Sequence, residues 1–463
     1  MNVQPGFSLW QHGSQLNRHT TWWPEGKWWA QYVHRGQFIL QSGKPKADVL
    51  VLAGDGSPNG GSYQADLVNA GYSYDLCSAS DVQRLEVRDG GVAMPGCLPY
   101  SVLCLGQDRY LTCATLRQVK ALLEAGACVS GKRPIGTPTL SDDPAEWKQL
   151  TDTIWGGKFT NLKDAGSALG SVRAFSLRAP VESGGKLAAI RRVIEGRDFY
   201  FVMAAPKTPF EGDVSFAARG RPERWDAKTG KIEPLLWIAD EEGRVRAHLS
   251  LRADESIFVS FRDPQAGERP ASAWTGAKEA SVVKDISSDW TVVSFAGKNA
   301  PDAPLAFPKL TGWNESADEK LKYFAGRAVY ERKVDMGDVK EPCDLDLGDV
   351  REIANVWVDG EFLGCLWEAP YRTALPKSAL GKTVTLRVEV VNTWPNRLIG
   401  DAIARKKGAA EPRGEHNVPQ WVLDDKPDSG TGIYTWMNWL KGWTADDTPR
   451  PAGLFGPVRI VRD

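Results

Sequence analysis

The sequence predicts a multidomain protein of α/β plus all-β class, and three observations predict it. At 463 residues the chain has room for about three domains of ~150 residues each. Between residues 46 and 160, short Val-rich apolar runs alternate with a helical pattern, which is how a buried parallel sheet reads. After about residue 165 the helical period gives way to short alternating runs separated by turn residues, the signature of β-sandwich and jelly-roll units.

The elements follow in order. Trp22–Gln41 predicts a helix: Pro24 suits its first turn, Trp28, Trp29, Tyr32, Val33, Phe38, Ile39 and Leu40 recur near a 3.6 period, and Gly43 closes it. Ala47–Ala53, Ser101–Leu105 and Ala127–Ser130 are short apolar strands. Thr112–Ala125 is a helix with Leu116, Val119, Leu122 and Leu123 on one face, Thr112 as N-cap and Gly126 just past its end. Strand, helix and strand at this spacing form a βαβ unit. Leu187–Glu195, Asp198–Ala204, Val214–Ala218, Glu223–Trp225, Ile232–Trp237, Arg244–Leu251 and Ser256–Phe261 then predict a sandwich over about 165–270. Pro264–Ala280 reads as a linker. Trp290–Phe295, Gly326–Val334, Cys343–Leu347, Ile353–Val358, Glu361–Trp367, Thr383–Val391 and Gly456–Val461 predict a jelly roll, with Asp359-Gly360 as a hairpin turn and Asp401–Asp447 as long polar surface loops. Residues 1–45 are rich in Trp and poor in strand signals, as the tail of something larger would be.

Composition narrows the function classes. Lys and Arg number 57 and Asp and Glu 58, a net charge of -1, which excludes a globally basic nucleic-acid binder. No apolar run approaches the ~20 residues of a membrane span, and no signal peptide is visible after Met1. The seven cysteines include no C-x-x-C pair, so no zinc site is expected; Cys104 and Cys128 read as small buried hydrophobes and the set as free thiols. Nineteen tryptophans are the outlier, and Trp suits both cores and stacking on sugar rings.

Few motifs carry chemistry. Gly54–Gly61 follows a strand, but its glycine spacing fails the dinucleotide fingerprint; Asp55 remains a candidate ligand contact at the carboxyl edge of the sheet. No G-x-S-x-G elbow exists. The acidic pairs Asp142-Asp143, Glu241-Glu242, Asp254-Glu255, Asp424-Asp425 and Asp446-Asp447 read as turns or caps, since carboxylates signal a glycosidase only where they converge across a cleft. Asn17-Arg18-His19-Thr-Thr-Trp22-Trp23 is different. Hydrogen-bonding groups run into two tryptophans just before a helix, so Asn17, Arg18, His19, Trp22 and Trp23 are candidate sugar contacts, with core packing of the tryptophans as the competing reading.

Several strings together resemble the alpha-L-rhamnosidases of glycoside hydrolase family 106. They are Asn17–Trp23 with the helix after it and Ala47–Val51, then Gly71–Asp75, Glu223–Gly230 and Glu255–Val259. Tyr323–Tyr330, Leu347–Val350, Val358–Gly360, Leu363-Gly364, Trp367–Tyr371, Asn392–Asp401 and Gly453–Val458 complete the set. The resemblance implies a barrel tail over 1–45, a flavodoxin-like domain over 46–164, a sandwich over 165–275 and a galactose-binding-like jelly roll over 286–463. It implies hydrolysis with inversion at terminal alpha-L-rhamnose of a plant glycan, relatives secreted or periplasmic, and calcium in the complete enzyme. The family's acid, base and calcium ligands would fall upstream, so the chain reads as a C-terminal portion, inactive alone. The competing reading is a non-catalytic carbohydrate-binding accessory protein; a third is a purely bracing role for the β-domains. Asn396, Arg397 and Asp401 either brace a loop or touch ligand, and Trp367 and Tyr371 fill the jelly-roll edge.

Overall fold

The structure, a computed structural model, describes residues 4–6, 16–55, 64–69, 71–106, 110–170, 175–177, 186–239, 244–270, 280–409, 414, 418–437 and 443–462. The chain divides into two compact units, Gln31–Thr275 and Met1–Ala30 with Gly276–Asp463. That division differs from the expected boundaries, because the described part of residues 1–30 groups with the jelly roll.

In the first unit, five parallel strands lie in the order Tyr74–Cys77, Val49–Leu52, Val102–Cys104, Val129–Ser130 and Leu162–Lys163. This is the 2-1-3-4-5 order of a doubly wound sheet. Val49–Leu52 is buried along its whole length, as its unbroken Val/Leu run requires. The helix Cys113–Glu124 starts where Thr112 accepts from the Thr115 amide, and buries Leu116, Val119, Leu122 and Leu123. A second helix, Pro144–Trp155, is capped by Asp143, so one expected acidic turn is a helix start.

The sandwich follows the alternating pattern. One sheet orders Ile232–Pro234, Arg221–Trp225, Ser256–Arg262, Arg197–Ala204, Leu187–Ile194 and Lys44–Lys46; the other orders Phe175–Leu177, Phe210–Phe216, Val245–Leu251 and Trp237–Ala239. Its edge strand Lys44–Lys46 comes from ahead of the α/β domain and pairs with Arg191–Val193. Gly43 makes this junction possible. Its φ is +58°, and a Cβ there would lie 2.2 Å from the Val193 carbonyl oxygen. Tyr200, Phe216 and Phe261 pack against one another in the core, with centroids 5.0–5.8 Å apart. On the outer face His248 sits between Asp213 (Nδ1, 2.9 Å) and Glu211 (Nε2, 2.9 Å). The expected linker begins as part of the sandwich, since Glu268 binds Arg262 through both oxygens; residues 271–279 lie outside the described residues.

In the second unit the jelly roll pairs a six-stranded sheet (Leu305–Lys309, Ser288–Lys298, Ala325–Asp335, Thr383–Val391, Ile353–Val358, Glu361–Leu366) with a four-stranded one (Ser281–Asp285, Arg459–Arg462, Asp344–Asp346, Arg372–Ala374). Trp290, Trp313 and Tyr330 are fully buried in its core, where the Trp313 indole N–H donates to the Tyr330 hydroxyl at 2.6 Å. Asp359-Gly360 forms the expected turn, with φ of 47° and 85°. The polar loops expected over 401–447 are more ordered than that. Helix Pro395–Lys406 runs into them, the short helix Gln420–Leu423 follows, and Trp421, Val422, Ile433 and Trp436 form a buried cluster. The polar surroundings of these few apolar residues mask a small satellite core in the sequence.

A buried ion cluster fastens residues 16–30 to the six-stranded sheet. Arg327 grips both oxygens of Glu25 (2.6 Å each) and reaches Glu389 at 3.1 Å. Asn355 donates to Glu25 and to Glu389, both at 3.0 Å. Glu25 is only 6% exposed, so its charge depends on this fork.

Two outcomes follow. Arg327→Ala leaves two carboxylates without their cation and should lower unfolding stability by about 3–5 kcal/mol in urea titrations, whereas Arg351→Ala, an exposed pair, should change it little. Burial disfavours the His248 imidazolium, but its hydrogen bonds to Asp213 and Glu211 outweigh this and hold its pKa above the ordinary value. The stabilising protonated pair is therefore complete below the unfolded pKa and lost as pH rises through the higher folded value. Urea midpoints measured across the neutral range should fall with rising pH, and His248→Asn should flatten that slope.

Candidate functional site

Two strings far apart in sequence meet in the second unit. The segment Asn17–Trp22 lies against Thr393–Leu398, the start of the helix Pro395–Lys406. The Trp394 indole N–H donates to the His19 carbonyl at 2.9 Å. The Thr21 hydroxyl donates to the Asn392 carbonyl, and Arg327 donates to the Thr21 carbonyl at 3.1 Å. Pro5-Gly6 pairs in parallel with Trp436-Met437 and closes a further side.

These segments bound a cleft of about 230 Å³. Trp22, Trp394 and Trp443 supply aromatic surface, while Asn17, Thr20, Thr21 and Thr393 supply an amide and hydroxyls. Arg450 lies 4.6 Å from the Trp443 ring centroid, and reciprocal bonds between the Asn396 side chain and the Arg450 backbone (2.8 and 2.7 Å) hold that arginine to the helix. Apolar ring faces beside short hydrogen-bonding groups suit a sugar, whose C–H patches and hydroxyls alternate. No Asp, Glu or His is among the described residues lining the cleft, so those residues bring no carboxyl or imidazole to it.

The sequence candidates fall unequally. Asn17 and Trp22 line the cleft. His19 points its carbonyl to Trp394, and its ring accepts from Arg18 Nε at 3.3 Å; burial and the Arg18 charge both lower its pKa, which favours the neutral ring. Arg18 itself is absent from the cleft lining. Trp23 is 43% exposed with its ring centroid 6.4 Å from that of Trp22, and it is not among the lining residues. Asp55 belongs to the other unit, where its two oxygens accept from the Thr112 amide (2.6 Å) and the Thr115 hydroxyl (3.0 Å) at the start of a helix. Arg397 and Asp401 brace the fold: Arg397 Nε binds Asp401 at 2.9 Å, and the other Asp401 oxygen accepts from the Tyr434 and Thr435 amides and the Thr435 hydroxyl. The described acidic pairs serve turns, caps and ion pairs, as Asp447 with Thr444 and Glu255 with Arg224 show; Glu241-Glu242 lies outside the described residues.

Thr393, Trp394, Leu398, Met437 and Trp443 are not among the sequence candidates. The clue available is Asn392-Thr-Trp-Pro ahead of a helix, and four further tryptophans inside an otherwise polar insertion. The described residues contain no group of three His, Cys, Asp or Glu side chains that could hold a metal ion.

The comparisons with known proteins agree with this architecture. A family model described as alpha-L-rhamnosidase matches residues 1–238. A solved rhamnosidase from Novosphingobium sp. PP1Y superposes with a TM-score of 0.84 at 28% identity, covering 100% of this chain and 43% of that one. A protein of Formosa agariphila named putative beta-glucuronidase is 33% identical, covering 99% of this chain and 59% of its own length. That alignment runs over 687 residues against 463 here, so the relative carries segments inside the matched region that this chain lacks. The chain thus spans less than two thirds of either protein. By its sequence match over more than half its length, the chain belongs to the alpha-L-rhamnosidase family of glycoside hydrolases, family 106.

Proposed function

We propose that this chain is the C-terminal portion of an inverting alpha-L-rhamnosidase, and that the cleft between Asn17–Trp22 and Thr393–Leu398 holds part of a rhamnose-containing glycan. The observation that carries the binding role is the pairing of three indoles with three threonine hydroxyls and an amide in one cleft. Inversion needs an acid on the leaving oxygen and a base on a water, with carboxyls roughly 6.5–9.5 Å apart. The described cleft residues include no such pair, so the reading assigns bond cleavage to the region of the family enzyme that this chain does not span.

A second reading is an accessory protein that holds carbohydrate without cleaving it, and the carboxyl-free lining favours it equally. Expressing the chain with a family catalytic barrel fused ahead of it separates the two. Gain of nitrophenol release from the aryl alpha-L-rhamnoside, beyond that of the barrel alone, supports the first.

The chain alone should release no nitrophenol from that substrate. It should still bind a rhamnose oligosaccharide, read as a change in tryptophan fluorescence. Trp443→Ala should weaken that binding about tenfold, or ~1.4 kcal/mol, and Trp147→Ala, in the other unit, should leave it unchanged. Unaltered affinity in Trp443→Ala would remove the cleft from the proposal.

A further inference from the structure

A second cleft lies elsewhere, against the β-sandwich, and its chemistry is ionic. It measures about 590 Å³ and is lined by Arg191, Arg197, Arg219, Arg244 and Arg262, a volume within the range that holds small ligands. The topology explains the convergence. Arg197 and Arg262 sit at strand ends of the six-stranded sheet and Arg191 within the neighbouring strand, Arg244 immediately precedes a strand of the other sheet, and Arg219 lies on the connection between the sheets. All five line the one cleft.

Their commitments differ. Arg191 is neutralised by Asp198 at 2.7 Å and lies over the Tyr200 ring. Arg262 is bound by Glu223 at 2.7 Å and by both oxygens of Glu268, which Arg221 also contacts. These two brace the walls. Arg197 donates to the Phe261 carbonyl and the Ser260 hydroxyl, and its contact with Glu223 is long, 3.6 Å. Arg244 is aimed by the hydroxyl and carbonyl of Ser215. Arg219 is exposed and makes no hydrogen bond or ion pair with a described residue. Three acids also line the cleft: Asp198, already paired, and the exposed Glu195 and Asp263. Among the described residues, five guanidiniums thus line the cleft with three carboxylates; with Arg221, Glu223 and Glu268 behind them the balance is positive by one.

We propose that this cleft binds an oxyanion-bearing sugar unit of a polysaccharide, a uronate or a sulfate ester. The planar forks of Arg219 and Arg197 match a carboxylate or sulfate. Glu195 and Asp263 accept hydrogen bonds from the ring hydroxyls. The inference rests on the reading that the chain engages a glycan, and it deepens that reading by making the glycan acidic.

The test is affinity electrophoresis of the whole chain through gels holding polygalacturonate, dextran sulfate or uncharged dextran. Retardation by polygalacturonate alone supports a uronate site and retardation by dextran sulfate alone a sulfate-ester site. Either should weaken in 0.5 M (about 4 Å screening length) salt. Arg219→Glu, on an exposed turn and checked for an unchanged melt, should weaken retardation at least about tenfold, while Arg84→Glu on the α/β domain should not. Equal retardation of wild type and Arg219→Glu, or equal retardation by dextran, would overturn the proposal. Arg219→Glu should leave the rhamnose-oligosaccharide fluorescence response intact and Trp443→Ala should leave polygalacturonate retardation intact, so each claim can fail without the other.

Discussion

The fork between Glu25 and Arg327 is the constraint on which the second unit depends. A carboxylate this buried is tolerable only with a cation and hydrogen bonds around it, and Arg327, Asn355 and the shared Glu389 provide that environment. The arrangement is also selective. One guanidinium binds Glu25 through both nitrogens and still reaches the Thr21 carbonyl, so the Asn17–Trp22 segment is placed in one register against the sheet. Trp394 then binds the His19 carbonyl and the cleft takes its shape. The polar cluster positions; the indoles supply the surface.

This division explains why the fold is more legible than the site. The strands of the sandwich and jelly roll follow a two-residue alternation, which can be read along each strand without reference to residues distant in sequence. Ile353–Val358 and Thr383–Val391 are legible to the residue. Thr112 and Gly126 mark the ends of their helix by local capping chemistry. The cleft has no such local signature. Asn17 and Trp22 can be picked out because polar groups abut aromatics, but Trp394 and Trp443 join them only through contacts spanning hundreds of residues. Asp55 misleads for the opposite reason: its place at the carboxyl edge of a parallel sheet suggests ligand, and the structure uses it at the start of a helix.

The tryptophan excess resolves in the same way. Trp290 and Trp313 are sealed in the jelly-roll core, whereas Trp22 and Trp443 remain half-buried beside polar partners. Composition alone cannot separate these uses, because indole is a large apolar body with one donor and suits both. Arginine behaves alike in the sandwich, where Arg191 and Arg262 brace walls and Arg219 stands in solvent at the same cleft. In both cases burial, rather than residue type, separates the side chains sealed into the scaffold from those that reach solvent.

The pairing of Lys44–Lys46 with Arg191–Val193 has a consequence for how the chain is made. It encloses the whole parallel sheet, Val49 to Lys163, within one loop of the sandwich, and the Glu25 fork encloses the sandwich in turn. Arg327 follows Glu25 by 302 residues, so at about 5–20 residues per second a ribosome delivers it roughly 15–60 s later. Biogenesis therefore proceeds from the inside of the chain outward. The parallel sheet can mature before its flanks are paired, and Glu25 waits for a partner that follows it by 302 residues.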